Sequence, residues 1–357
     1  MRIAQVTLNG YFNYGNILQK FALHHTLKKF TDFTEVLWPS PAGLFSEKGG
    51  TPGVQCVRHN DRPEWEQKFF LREAVRQSKF KDFENLHIKT RFNLPYFEEI
   101  ADEYDFFFVG SDQVWNQNYG KIFLEFVPRE KKISYAASIG SAEIVADKQE
   151  LFRRGISNFN FISVREERAA KIVKELTGRT PILLLDPALL LTQNEWLAVA
   201  QKPTWFKERY SRGYILTYYL SKMPSPEVKT LAAELDLPVI NLLDTENYNH
   251  YTVGPAEFIW LFAHASLIFT NSFHGAAFSV LFKRPFIVNT LRSKNDTRMA
   301  SFLKLFNFED RTAPAAPMKI DFARRNEILP VERAKAFKFL SEALGVNLLE
   351  KIFGGDA

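Results

Sequence analysis

A single cysteine, Cys56, occurs in the 357 residues, so neither an internal disulfide nor a thiolate metal cluster is available. A stapled secreted scaffold and a zinc ribbon are both excluded. No apolar run is long enough for a membrane span. The most apolar segment, Phe258 to Val288, is broken by His264, Asn271, Ser272, His274, Lys283 and Arg284. The opening Met1-Arg2-Ile3-Ala4-Gln5-Val6 has no h-region and no small-residue cleavage site, which argues against a signal peptide. Also missing are a Gly-x-Gly-x-x-Gly after a strand, a Walker loop, a Gly-x-Ser-x-Gly elbow and a His-Glu-x-x-His pair. Dinucleotide, NTPase, serine-hydrolase and zincin readings therefore lose their main support, and no metal is expected. The net charge is only +5 and no dense Lys/Arg stripe marks a nucleic-acid face. That charge suits an acidic substrate or a peripheral contact with anionic lipid, so the expected setting is the reducing cytoplasm, up to the inner face of the membrane.

The chain does have the means to fold. With 24% charged and 46% hydrophobic residues it lies far from the disordered class, and its length gives a prior of about two domains. The 34 phenylalanines are spread along the chain, which points to core packing with a few surface aromatics left for a sugar or lipid partner. Short apolar β-type runs alternate with helical patterns: Arg2 to Leu8, Phe106 to Val109, Ile133 to Ala137 and Phe161 to Val164, then Tyr214 to Tyr219, Ser266 to Thr270 and Pro285 to Val288. This alternation predicts an α/β protein of two Rossmann-like domains facing a cleft. The boundary falls between Leu191 and Gly213, giving an N-terminal domain over 1–190 and a C-terminal domain over 210–330. A helix over 331–357 is expected to pack back on the first domain, and residues 40–65 read as a loop or lid.

Ligands in open α/β sheets bind beyond the carboxyl ends of strands. The first strand exits into Asn9-Gly10-Tyr11-Phe12-Asn13-Tyr14-Gly15-Asn16, which opens onto a helix N-terminus suited to an anion. Phe106 to Val109 exits into Gly110-Ser111-Asp112-Gln113-Val114-Trp115-Asn116, a sugar-recognition pattern with Trp115 as stacking plate and Asp112 as hydroxyl acceptor or base. Ser111 or Asp112 serves equally well as a helix cap. Arg165 follows the strand at Phe161, where its guanidinium fits a carboxylate or phosphate; the bland alternative is a salt bridge to Glu166 or Glu167. Asp186-Pro187 has the same layout and reads as a cap or hinge. In Thr270-Asn271-Ser272-Phe273-His274-Gly275, a histidine at a Gly-flanked strand exit is placed for proton transfer near neutral pH. Arg298, just before the next helix, is a second anion clamp.

These segments taken in order resemble the polysaccharide pyruvyl transferases: Asn13-Tyr14-Gly15-Asn16-Ile17-Leu18-Gln19, Val109 to Asn116, Ile133 to Ser138, Ile162 to Glu166, Leu185-Asp186-Pro187 and Thr270 to Gly275. The resemblance implies two halves of glycosyltransferase-B type. It also implies transfer of a pyruvyl group from phosphoenolpyruvate to two hydroxyls of one sugar, forming a cyclic ketal and releasing phosphate without a metal or bound cofactor. The sugar belongs to a bacterial-type polysaccharide or its precursor, with a polyprenyl-diphosphate carrier left open. On this reading His274 and Asp112 are catalytic. Arg165, Arg298, Asn271, Ser272 and Gly275 bind the donor, and Asn13, Tyr14, Asn16, Ser111, Gln113, Trp115 and Asn116 bind the acceptor. Some members carry Arg where this chain has Ser272, so the clamp falls to Arg165, Arg298 or a lysine. A nucleotide-sugar glycosyltransferase and a non-catalytic carbohydrate-binding protein are the alternatives.

Overall fold

The computed structural model describes residues 1–39, 64–94, 100–117, 122–220, 226–289, 297–313 and 318–346. The first half comprises β1 (Arg2–Val6), α1 (Tyr14–Leu27), β2 (Phe33–Pro39), α2 (Glu64–His87), β3 (Thr90–Leu94), β4 (Phe106–Gly110), β5 (Lys132–Ala137), α3 (Ala146–Ser157), β6 (Phe161–Val164), α4 (Glu167–Thr177) and β7 (Ile182–Leu183). Its strands form one parallel sheet in the order β3-β2-β1-β4-β5-β6-β7. After α5 (Gln193–Leu197) come β8 (Ile215–Tyr218), α6 (Pro226–Glu234), β9 (Val239–Leu242), α7 (Tyr248–Tyr251), α8 (Pro255–His264), β10 (Leu267–Thr270), α9 (Phe273–Leu281), β11 (Phe286–Val288) and α10 (Thr297–Phe306). A second parallel sheet runs β11-β10-β8-β9.

Both sheets are covered on both faces, which is why strands such as Phe106–Gly110 and Leu267–Thr270 read as unbroken apolar runs. The chain is thus α/β with two Rossmann-like halves. Strand order reverses between β1 and β4 in the first sheet and between β8 and β10 in the second. Those crevices are where such folds take ligands. The exits of β1, β4 and β10 carry three of the polar clusters picked out in the sequence.

The halves share one core. Tyr14 stacks on Phe258 at 4.4 Å between ring centroids, and Trp196 touches both Phe21 (5.4 Å) and Phe278 (5.0 Å). Most of the phenylalanine goes into such packing, Phe80, Phe108, Phe258, Phe262, Phe278 and Phe306 all being buried. Beside this seam, Lys79 pairs with Glu257 at 2.7 Å and the Tyr251 hydroxyl donates to Glu73 at 2.6 Å.

Two expectations need correction. Most of the expected 40–65 loop lies outside the described residues, but Glu64 and Trp65 already open the 24-residue helix α2. The C-terminal helix α11 spans Ala323–Leu344 and begins before residue 331, with Pro330 inside it. Arg325 donates to the carbonyls of Val280 (3.2 Å) and Leu281 (2.9 Å) at the end of α9, and Arg333 to those of Leu189 (2.7 Å) and Leu191 (2.5 Å). Further along, Phe339 packs on Tyr135 and Phe161 of the first sheet. One helix therefore straps both halves.

Candidate active site

Two helix N-termini meet where the switch points face each other. Asn13 caps α1, its Oδ1 accepting from Asn16 N at 3.3 Å, and Ser272 caps α9, its Oγ accepting from Gly275 N at 3.4 Å. Helix geometry leaves the leading amides of each outside the internal ladder and aims both positive dipole ends at the same place. The helix α9 begins at Phe273, so His274 lies in its first turn. The imidazole packs directly on the backbone of Gly15 across the seam. A Cβ there would come within 2.5 Å of His274 Cγ and 2.6 Å of Cε1, so the Gly of Asn-Tyr-Gly-Asn is required by a contact more than 250 positions away in the chain.

Beyond His274 lies a buried charge cluster. Asp186 Oδ2 pairs with Arg165 Nη1, lies 3.4 Å from Ser111 Oγ and 3.5 Å from His274 Nε2. Its other oxygen accepts from Ala188 N at 2.9 Å, capping the 3-10 turn Pro187–Leu189. Arg165 Nη2 sits 3.5 Å from Asp112 Oδ1, and the Arg165 guanidinium lies 4.5 Å from the Phe273 ring centroid. Burial alone would raise the Asp186 carboxyl, but His274 and Arg165 outweigh it and hold the group well below the usual carboxylate range. For Arg165 the lowering by burial is likewise outweighed by Asp186, Asp112 and Glu166, so its pKa rises and it stays cationic.

Several polar atoms in this cluster are buried and lack hydrogen-bond partners: Arg165 Nε and Nη2, His274 Nε2 and Asn16 Oδ1. Leaving such groups unmade is costly, and cationic donors most of all. These nitrogens, with two helix N-termini beside them, are the groups an anion would bind.

The surroundings hold this geometry. Gln19 accepts from Ser111 N (3.1 Å) and donates to Thr7 Oγ1 (3.1 Å), while Thr7 donates to the Ser111 carbonyl (3.0 Å). Asp112 has φ +68°, a left-handed backbone that a short polar residue tolerates. Glu166 Oε1 accepts from Ser138 Oγ (2.9 Å), Ile139 N (3.0 Å) and Gly140 N (3.1 Å), fixing the loop after β5.

His274, Arg165 and Asp112 are thus brought together, with Asn13 and Asn16 flanking the Gly15 on which His274 packs, and Asp186, read from the sequence as a cap or hinge, is the hub. The layout shared by Asp186 and Arg165 after neighbouring strands was the signal that could have found it. Trp115 is not a stacking plate: it is fully buried, donates to the Ile122 carbonyl at 3.1 Å and packs on Phe159. Tyr14 offers no acceptor contact either, because it is buried and its hydroxyl donates to the Val253 carbonyl at 2.6 Å. Ser111 is fully buried with its hydroxyl on the Ala136 carbonyl at 2.8 Å. Gln113 accepts from Asn116 Nδ2 at 3.0 Å. Asn271 Oδ1 accepts from Leu220 N at 2.9 Å, and a Cβ on Gly275 would strike Thr270, so with Ser272 these residues shape the entry to α9. Arg298 lies in the first turn of α10, one turn before Phe302, which touches Phe273. Its neighbours Asn295 and Asp296 lie outside the described residues. Among the described residues no group of His, Cys, Asp and Glu is arranged to hold a metal, and no helix is long and apolar enough to cross a membrane.

The family described as Polysaccharide pyruvyl transferase matches residues 13–288. No curated protein matches in sequence. Among solved structures, the chain is similar to Anabaena HepE in complex with UDP and glucose, with 11% identity over 97% of this chain and 100% of that one at a TM-score of 0.49. It is also similar to the Methanocaldococcus jannaschii UDP-GlcNAc 2-epimerase in complex with UDP-GlcNAc and UDP, at 12% identity, 93% and 92% coverage and a TM-score of 0.42. For the E. coli ADP-heptose LPS heptosyltransferase II the values are 11%, 94%, 99% and 0.36.

Proposed function

Because the chain belongs to the polysaccharide pyruvyl transferase family, we propose that it moves the pyruvyl group of phosphoenolpyruvate onto two hydroxyls of one sugar, forming a cyclic ketal. The observation that carries this reading is the set of buried nitrogens without hydrogen-bond partners, Arg165 Nε and Nη2 with His274 Nε2, at two apposed helix N-termini. Phosphoenolpyruvate brings a carboxylate and a phosphate, which are the acceptors such donors need.

In the first step a sugar hydroxyl adds to C2 of the donor while C3 gains a proton, giving a methyl group and a tetrahedral ketal phosphate. In the second, another hydroxyl of the same sugar takes the place of phosphate at C2, and its proton leaves with the phosphate. His274 supplies the proton or steadies the phosphate, Asp112 receives a hydroxyl proton, and Arg165 holds the donor anion with Arg298 at its flank. Asp186 keeps Arg165 and His274 in place and touches no substrate. The chemistry takes place in the cytoplasm or at the inner face of the membrane, where lipid-linked acceptors are presented.

A thermal-shift series with phosphoenolpyruvate, UDP-glucose and GDP-mannose tests the donor, since a ligand selective for the folded state adds about 2.7 kcal/mol at a hundredfold excess over its Kd. Stabilisation by phosphoenolpyruvate, with phosphate released in the presence of glycosides, is the expected result. Stabilisation by a nucleotide sugar alone overturns it in favour of a glycosyltransferase.

A further inference from the structure

His274 and Asp112 belong to different halves of the molecule, yet one face of α1 bears on both. Gly15 and Gln19 are four residues apart in α1, so they lie one above the other on that face, about 6 Å apart along the axis. The His274 imidazole packs on the backbone of Gly15. One turn further on, Gln19 Oε1 accepts from the backbone N–H of Ser111, the neighbour of Asp112, at 3.1 Å. Gln19 Nε2 donates to the Asn16 carbonyl at 3.0 Å and to Thr7 Oγ1 at 3.1 Å, and Thr7 Oγ1 donates to the Ser111 carbonyl at 3.0 Å. Ser111 is therefore held at both its N–H and its C=O.

Gln19 and Thr7 are fully buried. An apolar side chain would fill the same space without the desolvation cost of an amide, so packing alone does not account for a glutamine here. What the amide adds is direction, because a paired network of buried polar groups fixes a unique arrangement. The fixed point passes straight to Asp112. Its backbone has φ +68° and its carbonyl accepts from Val114 N at 2.8 Å and Ser138 N at 3.0 Å. The carboxylate therefore leaves Ser111 in one direction, toward Arg165 Nη2 at 3.5 Å.

We propose that Gln19 is a positioning residue for the transfer reaction: acting through Ser111, it sets the place of the Asp112 carboxylate relative to His274, with α1 as the common ruler. The role rests on the reading of this protein as a pyruvyl transferase. Gln19→Glu keeps the acceptor for Ser111 N but loses the N–H groups that face Thr7 and Asn16, unless the new carboxyl carries a proton. Burial, and the negative charges of Asp112 and Asp186 beyond Ser111, push the pKa of that carboxyl upward, while the adjacent Lys20 is already paired with Glu84. Acidification should then restore a donor.

Turnover is measured as phosphate release from phosphoenolpyruvate with p-nitrophenyl β-galactoside and p-nitrophenyl β-glucoside, at pH 8 and pH 6, beside the urea midpoint. The expected result is a folded Gln19→Glu protein whose kcat at pH 8 falls about tenfold or more, with both KM values kept within about threefold. Its kcat relative to wild type should rise at least about threefold between pH 8 and pH 6. The thermal shift by phosphoenolpyruvate should persist, because Arg165 and the two helix N-termini do not lean on Gln19. Gln19→Met keeps the volume and drops all three bonds, so it should show the same loss of kcat with no recovery in acid, and it decides the matter if Gln19→Glu fails to fold. A kcat within about threefold of wild type in a folded variant overturns the positioning role and leaves the donor reading standing. Absence of phosphate release by the wild type overturns the donor reading, and the role falls with it.

Discussion

Replacing Gly15 by Ala asks whether the two halves must touch for the site to work. The added methyl would overlap His274 Nδ1 and lie 2.5 Å from Cγ and 2.6 Å from Cε1, so the ring must retreat by about 1.5 Å to reach ordinary van der Waals separation. Retreat changes the 3.5 Å approach of Nε2 to Asp186. Two stability terms oppose each other: Ala in a helix is worth about 1 kcal/mol over Gly, while overpacking costs about 1–3 kcal/mol. The net loss should stay within about 2 kcal/mol, leaving a folded protein. Turnover should respond far more, because displacing a catalytic group by about 1 Å costs roughly a hundredfold. Urea denaturation and phosphate release from phosphoenolpyruvate in the presence of an acceptor glycoside measure the two quantities on one preparation. A Gly15→Ala protein whose turnover stays within about threefold of wild type would refute the idea that this contact sets the position of His274.

Asp186→Asn keeps the oxygen that caps Pro187–Leu189 but removes the charge facing Arg165 and His274; it should cost about 3–5 kcal/mol in urea denaturation, the scale of a buried pair broken from one side, and a loss below about 1 kcal/mol would contradict the hub role. Trp115→Phe should lower the melting temperature, since the bond to the Ile122 carbonyl is lost, and leave acceptor KM alone; a raised KM at unchanged melting temperature would return Trp115 to the binding surface. His24 is buried and accepts from Lys89 N at 3.4 Å, and burial, with smaller contributions from Lys28, His25 and Lys89, pushes its pKa down to about 3. Between the ordinary value near 6.5 and about 3 the unfolded chain therefore binds the extra proton. The His24 contribution is fully present above about pH 6.5 and fades on acidification, by about 2–3 kcal/mol at pH 4.5. A His24→Gln variant should flatten that part of the stability profile, and an identical slope in both proteins would exclude His24 as its source.

The sequence made the strand exits legible because strands buried on both faces end abruptly in polar residues, as Val109 does before Ser111-Asp112 and Phe269-Thr270 does before Asn271-Ser272. It hid which exits meet. The contact of His274 with Gly15 depends on how two sheets are set against each other, and periodicity within either sheet is blind to that. Asp186 was obscured for another reason: one of its oxygens does cap a turn, as an Asp before Pro suggests, and only the other takes Arg165. Trp115 misled because a polar cluster at a strand exit looks solvent-facing. The backbone amide of Trp115 bonds to the Ser138 carbonyl and its indole to Ile122, so the ring turns into the core under Phe159. The strand β3 and the helix α2 were missed altogether. The latter packs against α1, α7 and α8, which blurs the single apolar stripe of a surface helix.

The aromatic seam around Tyr14, Phe258, Trp196 and Phe278 gives the protein a thermal character of its own. Burial of apolar surface weakens on cooling. The force that presses His274 against Gly15 is thus stronger in the warm and fades in the cold. In such a molecule the loss of activity at low temperature reflects a loosening between halves as well as a slower chemical step, and the two are separable by their curvature with temperature.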